Sequence, residues 1–470
     1  MREIPHSFCG YISIDDDVFV CSVTGHTVKL LPAHDDSKSI GSSVWNIQRR
    51  KAETPEFLFG VDEWNYEIAL LRQTDFKDVI GVWNCTSFGA PIVIQSVGNM
   101  HGFYEQLTKD WTKFDAIAFV GGNINDVYNP KIVALKRKSR DEINEYANSS
   151  SGARTIEIKP FSEYTHTADV IIDEQKIKVT ISVSQNSGEE NLKTTEIGSL
   201  ASIIRLEFEN PQDFTSIERH YIVIRSALAL LTRQNNIGFS VSLHQKNNSG
   251  QFVKTGICRV NDGFDDYSKR QYHSVISLGA FTPYLPHMIE MVSKNEADAI
   301  LSLLPRSNKN LSRITITNVQ DLCTALEVEY NKVKGKPKKD SAIEELKKEI
   351  NSTIAHFLDT HTEIDVYNQT TISSAFQYLD YTLKDKIFFL YNENRDIVDS
   401  IAKKWSCPEL TLESIGSFVK LRNMKTHSGT IEWGDSDKLY LPLFALVYAC
   451  FFKRMGLPDS DTKRTVAQIF

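Results

Sequence analysis

The chain has 470 residues, 41% apolar and 24% charged, with a formal net charge of −7 at pH 7. That length exceeds what one hydrophobic core serves, so two or three domains are expected, and the composition is globular rather than disordered. The acidic balance excludes a wholesale polycation of the ribosomal or chromatin kind, so any nucleic-acid contact has to be local.

The amino-terminal run MREIPHSFCGYISIDDD turns acidic early and lacks the apolar stretch of a signal peptide. Up to about residue 300 the dominant pattern has period two. YISIDDDVFVCSV, APIVIQSV, DAIAFVGG, ADVIIDEQKIKVTISVS and IIRLEFEN combine β-branched or aromatic residues with Gly, Asn or Asp punctuation. A β-rich, sandwich-like region is therefore expected, divided into a first part over 1–150 and a second, mixed part over 151–310. The hydrophilic stretch KRKSRDEINEYANSSSGAR (136–154) marks the junction. Two helices interrupt the strands, FYEQLTKDWTKF (103–114) and SIERHYIVIRSALALLTRQN (216–235). The two glycines of FVGGNIND (119–126) follow a strand but begin neither G-x-G-x-x-G nor a Walker pattern. Acidic clusters at Asp15–Asp17, Asp62–Glu63 and Asp265–Asp266 lie in turn-like surroundings, a weak setting for a glycosidase carboxylate pair.

From about Thr315 the period becomes helical. Val319, Leu322, Cys323, Leu326 and Val328 recur on one face, as do Ile343, Leu346, Ile350, Ile354, Phe357 and Leu358 on the next. Further helices are expected over 372–393, 394–405, 411–427 and 438–455, which makes 315–470 an all-α bundle and the whole chain an α+β multidomain protein. Between the first two of these helices, KVKGKPKKD carries Lys334, Lys336, Lys338 and Lys339 around Gly335 and Pro337. It reads either as a solvated turn or as a loop that grips RNA phosphates. The near-apolar run LYLPLFALVYACFF (439–452) is shorter than the roughly 20 residues of a membrane-spanning helix, so a buried helix is expected and no membrane partner. Seven scattered cysteines without a C-x-x-C pair fit a reducing, cytoplasmic location.

The run FVKLRNMKTHSGTIEW (418–433) departs from this regularity. With Leu412 at zero and about 100° per residue, Ile415 falls at about 300° and Val419 at about 340°, which defines the expected buried stripe. Arg422 at about 280°, Asn423 at about 20° and Thr426 at about 320° then fall on the same side. A guanidinium there is costly unless it is paired or opens onto a cleft or partner, and such breaches of local rule gather at functional sites. His427 lies about 7.5 Å further along the axis and about 140° around it, so an unbroken helix cannot aim both groups at one atom. Either the chain unwinds before Gly429, or two copies of the helix face each other across a dimer axis. The spacing by itself is not specific. Arg422 pairing with Glu327 or Glu329, and His427 closing a helix C-terminus, would account for the same residues without catalysis.

LRNMKTHSG resembles the Arg-Asn-x-x-x-His signature of HEPN ribonucleases, and 315–470, including TALEVEY in its first helix, resembles the ApeA-like branch of that family. Over 1–300 the likeness to the ApeA amino-terminal domain is faint and carries no sharp motif. The resemblance implies an endoribonuclease of anti-phage defence by abortive infection, with Arg422, Asn423 and His427 as catalytic residues. It implies a homodimer or higher homo-oligomer, an RNA substrate such as tRNA, a phage-derived trigger sensed by the β-rich region, and no metal or other cofactor. Glu327 and Lys425 are the supporting residues expected around such a site. The chemistry agrees, because the 2′-hydroxyl of RNA is a nucleophile already held beside the scissile phosphate. The alternatives are a non-catalytic HEPN module for dimerisation or RNA binding, and a carbohydrate-active β domain with a helical appendage.

Overall fold

The computed structural model describes residues 4–14, 17–32, 57–72, 86–97, 110–136, 158–185, 200–261, 274–305, 314–334, 341–375, 382–427 and 434–470, and for some residues inside elements, among them 423–427, the backbone alone. The chain divides into two compact units, Met1–Lys294 and Asn295–Phe470.

In the first unit, alternating apolar residues build strands β1 (Ser7–Ile14), β2 (Asp17–Thr24), β3 (Thr27–Pro32), β4 (Phe57–Asp62), β5 (Glu67–Leu71), β6 (Thr86–Gly89), β7 (Ile92–Ser96) and β8 (Lys113–Val120). They continue with β9 (His166–Ile172), β10 (Gln175–Gln185), β11 (Leu200–Asp213), β12 (Ser240–Lys246) and β13 (Phe252–Val260). Every pairing among them is antiparallel, and the order is β6-β3-β2-β1-β4-β5-β7-β13-β12-β8-β11-β10-β9. Hydrogen bonding is continuous through β7–β13, so the described strands form one continuous antiparallel sheet. Strand β8 pairs with both β11 and β12, so strands from either side of residue 150 share this sheet.

Period two sets what each half of the sheet buries. Phe8 and Ile12 of β1, Phe19, Cys21 and Val23 of β2, Val28 and Leu30 of β3, and Ile68 and Leu70 of β5 meet in one core with Leu58, Phe88 and Val93. In the other half, Ile204, Leu206 and Phe208 of β11 and Ile117 and Phe119 of β8 are buried. On the chain, α1 (Asn123–Val127) and α2 (Pro130–Ala134) follow β8, and α3 (Ile217–Thr232) falls within the expected 216–235 helix. Then come α4 (Leu278–Phe281) and α5 (Leu285–Ser293), the latter packing against α3 and β9.

One expectation fails here for a local reason. The carboxyl-terminal end of the helix expected at 103–114 is a turn leading into β8, where Thr112 N–H donates to Asp110 Oδ1 at 3.1 Å and Trp111 packs edge-on against Phe214 at 5.2 Å. The rest of that segment, and most of the 136–154 junction, lie outside the described residues. The Gly121–Gly122 pair also has a structural duty. Gly122 has φ 54°, and a Cβ there would strike the Gly238 carbonyl, while Asn123 and Gly238 exchange hydrogen bonds of 2.9 Å. Asp62 is likewise buried and satisfied, accepting from the N–H groups of Trp64 and Tyr66 and from Gln95.

The second unit is helical: α6 (Asp298–Leu301), α7 (Ile316–Lys334), α8 (Ser341–Thr360), α9 (Val366–Ala375), α10 (Leu383–Glu393), α11 (Arg395–Lys404), α12 (Leu412–His427), α13 (Tyr440–Arg454) and α14 (Asp459–Ile469). The 439–452 run forms α13, buried along nearly its whole length and packed against α7, α11 and α14. Thr382 and Asp385 make a reciprocal capping box that starts α10. Helices α8 and α9 pack on each other, and expected core residues of α8 are instead open: Leu346 is 49% and Phe357 46% exposed. Among the described residues no helix is long and apolar enough to cross a membrane.

Candidate functional site

Helices α7, α10 and α12 pack against one another and bring together the side chains around Arg422. The buried face of α12 is made by Ile415, Phe418 and Leu421, while Leu412 is 40% exposed and Val419 only half-buried. On the same wheel the three lie at about 300°, about 240° and about 180°, so the true stripe is turned by about 90° from the one expected around Leu412 and Val419. Arg422, at about 280°, remains on the buried side. Phe418, which lies off the expected stripe, is fully buried there together with Ile415.

Arg422 is half-buried. Its carbonyl accepts a long hydrogen bond of 3.5 Å from Gln320 Nε2 on α7. Its charge is felt by the neighbouring Cys323: burial pushes that thiol up to about 12, the Arg422 guanidinium draws it down, and Glu327 pushes it up. The carboxylates offered by the sequence as partners of Arg422 are engaged elsewhere. Lys386 Nζ of α10 donates to Glu327 Oε1 at 2.6 Å and stands over the Tyr330 ring at 5.9 Å. Glu329 is fully buried and held by Arg454 of α13, whose Nε and NH2 reach its two oxygens at 2.9 Å each. Arg454 NH1 also reaches Glu296 Oε2 at 3.0 Å, and Lys332 Nζ donates to the Glu296 carbonyl at 2.6 Å. Among the described residues Arg422 has no ion-pair partner. It is a guanidinium on the buried side of a helix that makes no ion pair among those residues, with Glu327 near enough to act on the same Cys323 thiol.

The backbone of α12 stays helical through His427. Within one protomer the two residues therefore keep the separation of an unbroken helix, about 7.5 Å along the axis and about 140° around it. Asn423, Lys425 and His427 contribute their backbone to α12, and their side chains lie outside the described residues, as does Gly429. Lys336, Lys338 and Lys339 also lie outside them. Lys334, at the end of α7, places its Nζ over the Phe389 ring of α10 at 4.1 Å, and Phe389 packs edge-on against Tyr330 at 5.7 Å. This lysine is exposed, so its ammonium is available to an anion from the solvent side.

Gln320, Cys323 and Lys386 are the neighbours that sequence reasoning did not select. Cys323 appeared only as an apolar position, and Gln320 and Lys386 carry no motif. Their relation to Arg422 and Glu327 follows from the packing of α7, α10 and α12, which a single sequence does not specify. A separate cleft of about 440 Å³ between α6 and α7 is lined by Asp298, Asp321 and Lys332 among others, and none of the expected site residues borders it. Among the described residues no group of three or more His, Cys, Asp or Glu side chains is gathered as a metal-binding cluster. No family model, curated protein or solved structure matches the chain.

Proposed function

We propose that the helical unit is a metal-independent endoribonuclease of the HEPN kind, acting in the cytoplasm in anti-phage defence by abortive infection. In this reading the amino-terminal unit restrains it until a phage-derived signal arrives. The observation that carries the proposal is Arg422: a half-buried arginine on the packed side of α12 that makes no ion pair among the described residues. A phosphodiester is the natural counter-charge for such a group, since a guanidinium can hold two nonbridging oxygens and the charge that grows on them in the transition state. The family signature supplies the rest, with His427 moving the proton of the 2′-hydroxyl or of the leaving 5′-oxygen, and Asn423 orienting the phosphate or imidazole. The products are a 2′,3′-cyclic phosphate and a 5′-hydroxyl, with tRNA among the candidate substrates.

The regular helix between Arg422 and His427 favours a site shared by two copies, each helix end facing the other across a two-fold axis. The open apolar residues of α8 favour the same assembly, because a second copy would cover them. The test is RNA cleavage by Arg422→Ala and His427→Ala with folding, oligomeric state and RNA binding measured in parallel. Loss of roughly 10²–10⁴ in cleavage rate, with folding and binding retained, is expected for each. Undiminished cleavage by both variants removes the nuclease reading, and a wild type that binds RNA without cutting it leaves a binding or dimerisation module.

A further inference from the structure

Strand β9 is one end of the sheet, and no other described strand pairs with its outer side. The β9–β10 hairpin turns through two residues, Asp173 and Glu174, with φ of 49° and 67°, and Ile172 faces Gln175 across it. In a two-residue hairpin that flanking pair exchanges its backbone hydrogen bonds. The even-numbered residues of β9 therefore bond to β10, and the odd-numbered ones turn their N–H and C=O groups outward. An independent contact agrees: Ile171 N–H, on the outward side, donates to Glu290 Oε1 of α5 at 3.0 Å. Helix α5 thus closes the edge at Ile171. Among the described residues nothing pairs with the outward backbone groups of Thr167 and Asp169.

Beside this open stretch lies a cleft of about 440 Å³. Its floor is Ala168, Val179 and Ile181, which share one face of the sheet because Val179 sits opposite Ala168 and Ile181 opposite His166. Its far wall is Pro283, Leu285 and Pro286. Edge and cleft are in register. A strand laid along Thr167–Asp169 directs the side chain facing Ala168 to the same face as Ala168, and so into the cleft.

We propose that this edge takes an extended peptide segment of a partner protein by strand addition, with one apolar side chain of that segment seated in the cleft. The outward groups at Thr167 and Asp169 repeat at the spacing of every second strand residue, about 6.6 Å, which an extended backbone matches and a compact ligand does not. The two prolines of the wall offer no N–H to compete for the peptide's carbonyls. This docking site is independent of the nuclease reading and stands or falls on its own.

The test uses the full-length protein and a positional-scanning library of acetylated, amidated hexapeptides read by fluorescence anisotropy, followed by single N-methylation at each position of the best binder. Thr167→Pro removes an outward N–H and leaves the β10 ladder its donors, and Ala168→Trp fills the cleft. Each is expected to weaken binding about tenfold or more, and N-methylation is expected to weaken it at alternating positions. Should Thr167→Pro impair folding, the N-methyl scan on the unaltered protein decides. The proposal is overturned if no hexapeptide binds above the unselected mixture. It is equally overturned if binding is indifferent to Ala168→Trp, or to N-methylation at every position.

Discussion

His220 in α3 is 4% exposed, its ring centroid lies 4.8 Å from that of Phe208, and its Nδ1 is buried without a hydrogen-bond partner among the described residues. Burial pushes its pKa down to about 4, with Arg219 acting in the same direction and Asp173 against it. The folded state therefore keeps the ring neutral where the unfolded chain, near 6.5, has begun to take up a proton. Stability from this group is complete above about pH 6.5 and is lost as the pH falls towards 4, at about 1.4 kcal/mol per pH unit while only the unfolded chain is protonated. His220→Phe should flatten the fall in melting temperature between pH 6.5 and 4 relative to wild type; an unchanged slope would contradict the assignment. Arg422 shows the complementary lesson. Its position on the packed side of a helix was legible from the spacing of Ile415 and its neighbours, whereas the absence of an ion pair among the described residues was not. Two acidic residues on α7 were equally plausible partners until packing assigned Glu327 to Lys386 and Glu329 to Arg454.

Among the elements, the Glu329–Arg454 pair ties α7 to α13 from inside the bundle. Removing one member of a buried pair strands the other charge, at a cost of about 3–5 kcal/mol, whereas replacing both with apolar residues is far milder. Arg454→Ala should therefore destabilise the helical unit strongly in urea unfolding followed by circular dichroism, and Glu329→Leu combined with Arg454→Met should recover most of the loss. The partly exposed Lys386–Glu327 pair is of the kind that contributes about 0–1 kcal/mol, so Lys386→Ala should change stability little. Element type was readable wherever one period ran long enough, as in β9, β10, α3 and α13. It was misread at 110–114, where Trp111 and Phe114 mimic a helical spacing but serve different elements, a turn and a strand. The rotation of α12 was missed because the expected stripe was anchored on Leu412 and Val419 and left out Phe418 and Leu421, which share a face with Ile415 at i, i+3 spacing.

On the scale of the whole molecule, the boundary at 294/295 has an energetic reason that composition does not reveal. Glu296 pairs with Arg454 and offers its carbonyl to Lys332, and α6 packs on α7, so the residues just before 315 belong to the helical unit. A fragment beginning at Asn295 should melt higher than one beginning at Thr315, by roughly 2–4 °C per kcal/mol of contacts kept, and equal melting temperatures would contradict this boundary. The long-range order of the sheet was likewise out of reach, because alternation tells which face a strand buries and not which strand it pairs with. The proposed Arg422–His427 site would cut RNA through the substrate's own 2′-hydroxyl, and the chemistry of the cut ends tests that most directly. Wild-type protein incubated with RNA in the presence of a chelator should leave 2′,3′-cyclic phosphate and 5′-hydroxyl ends that vanish with His427→Ala; 3′-hydroxyl and 5′-phosphate ends, or ends that persist in the variant, would contradict it.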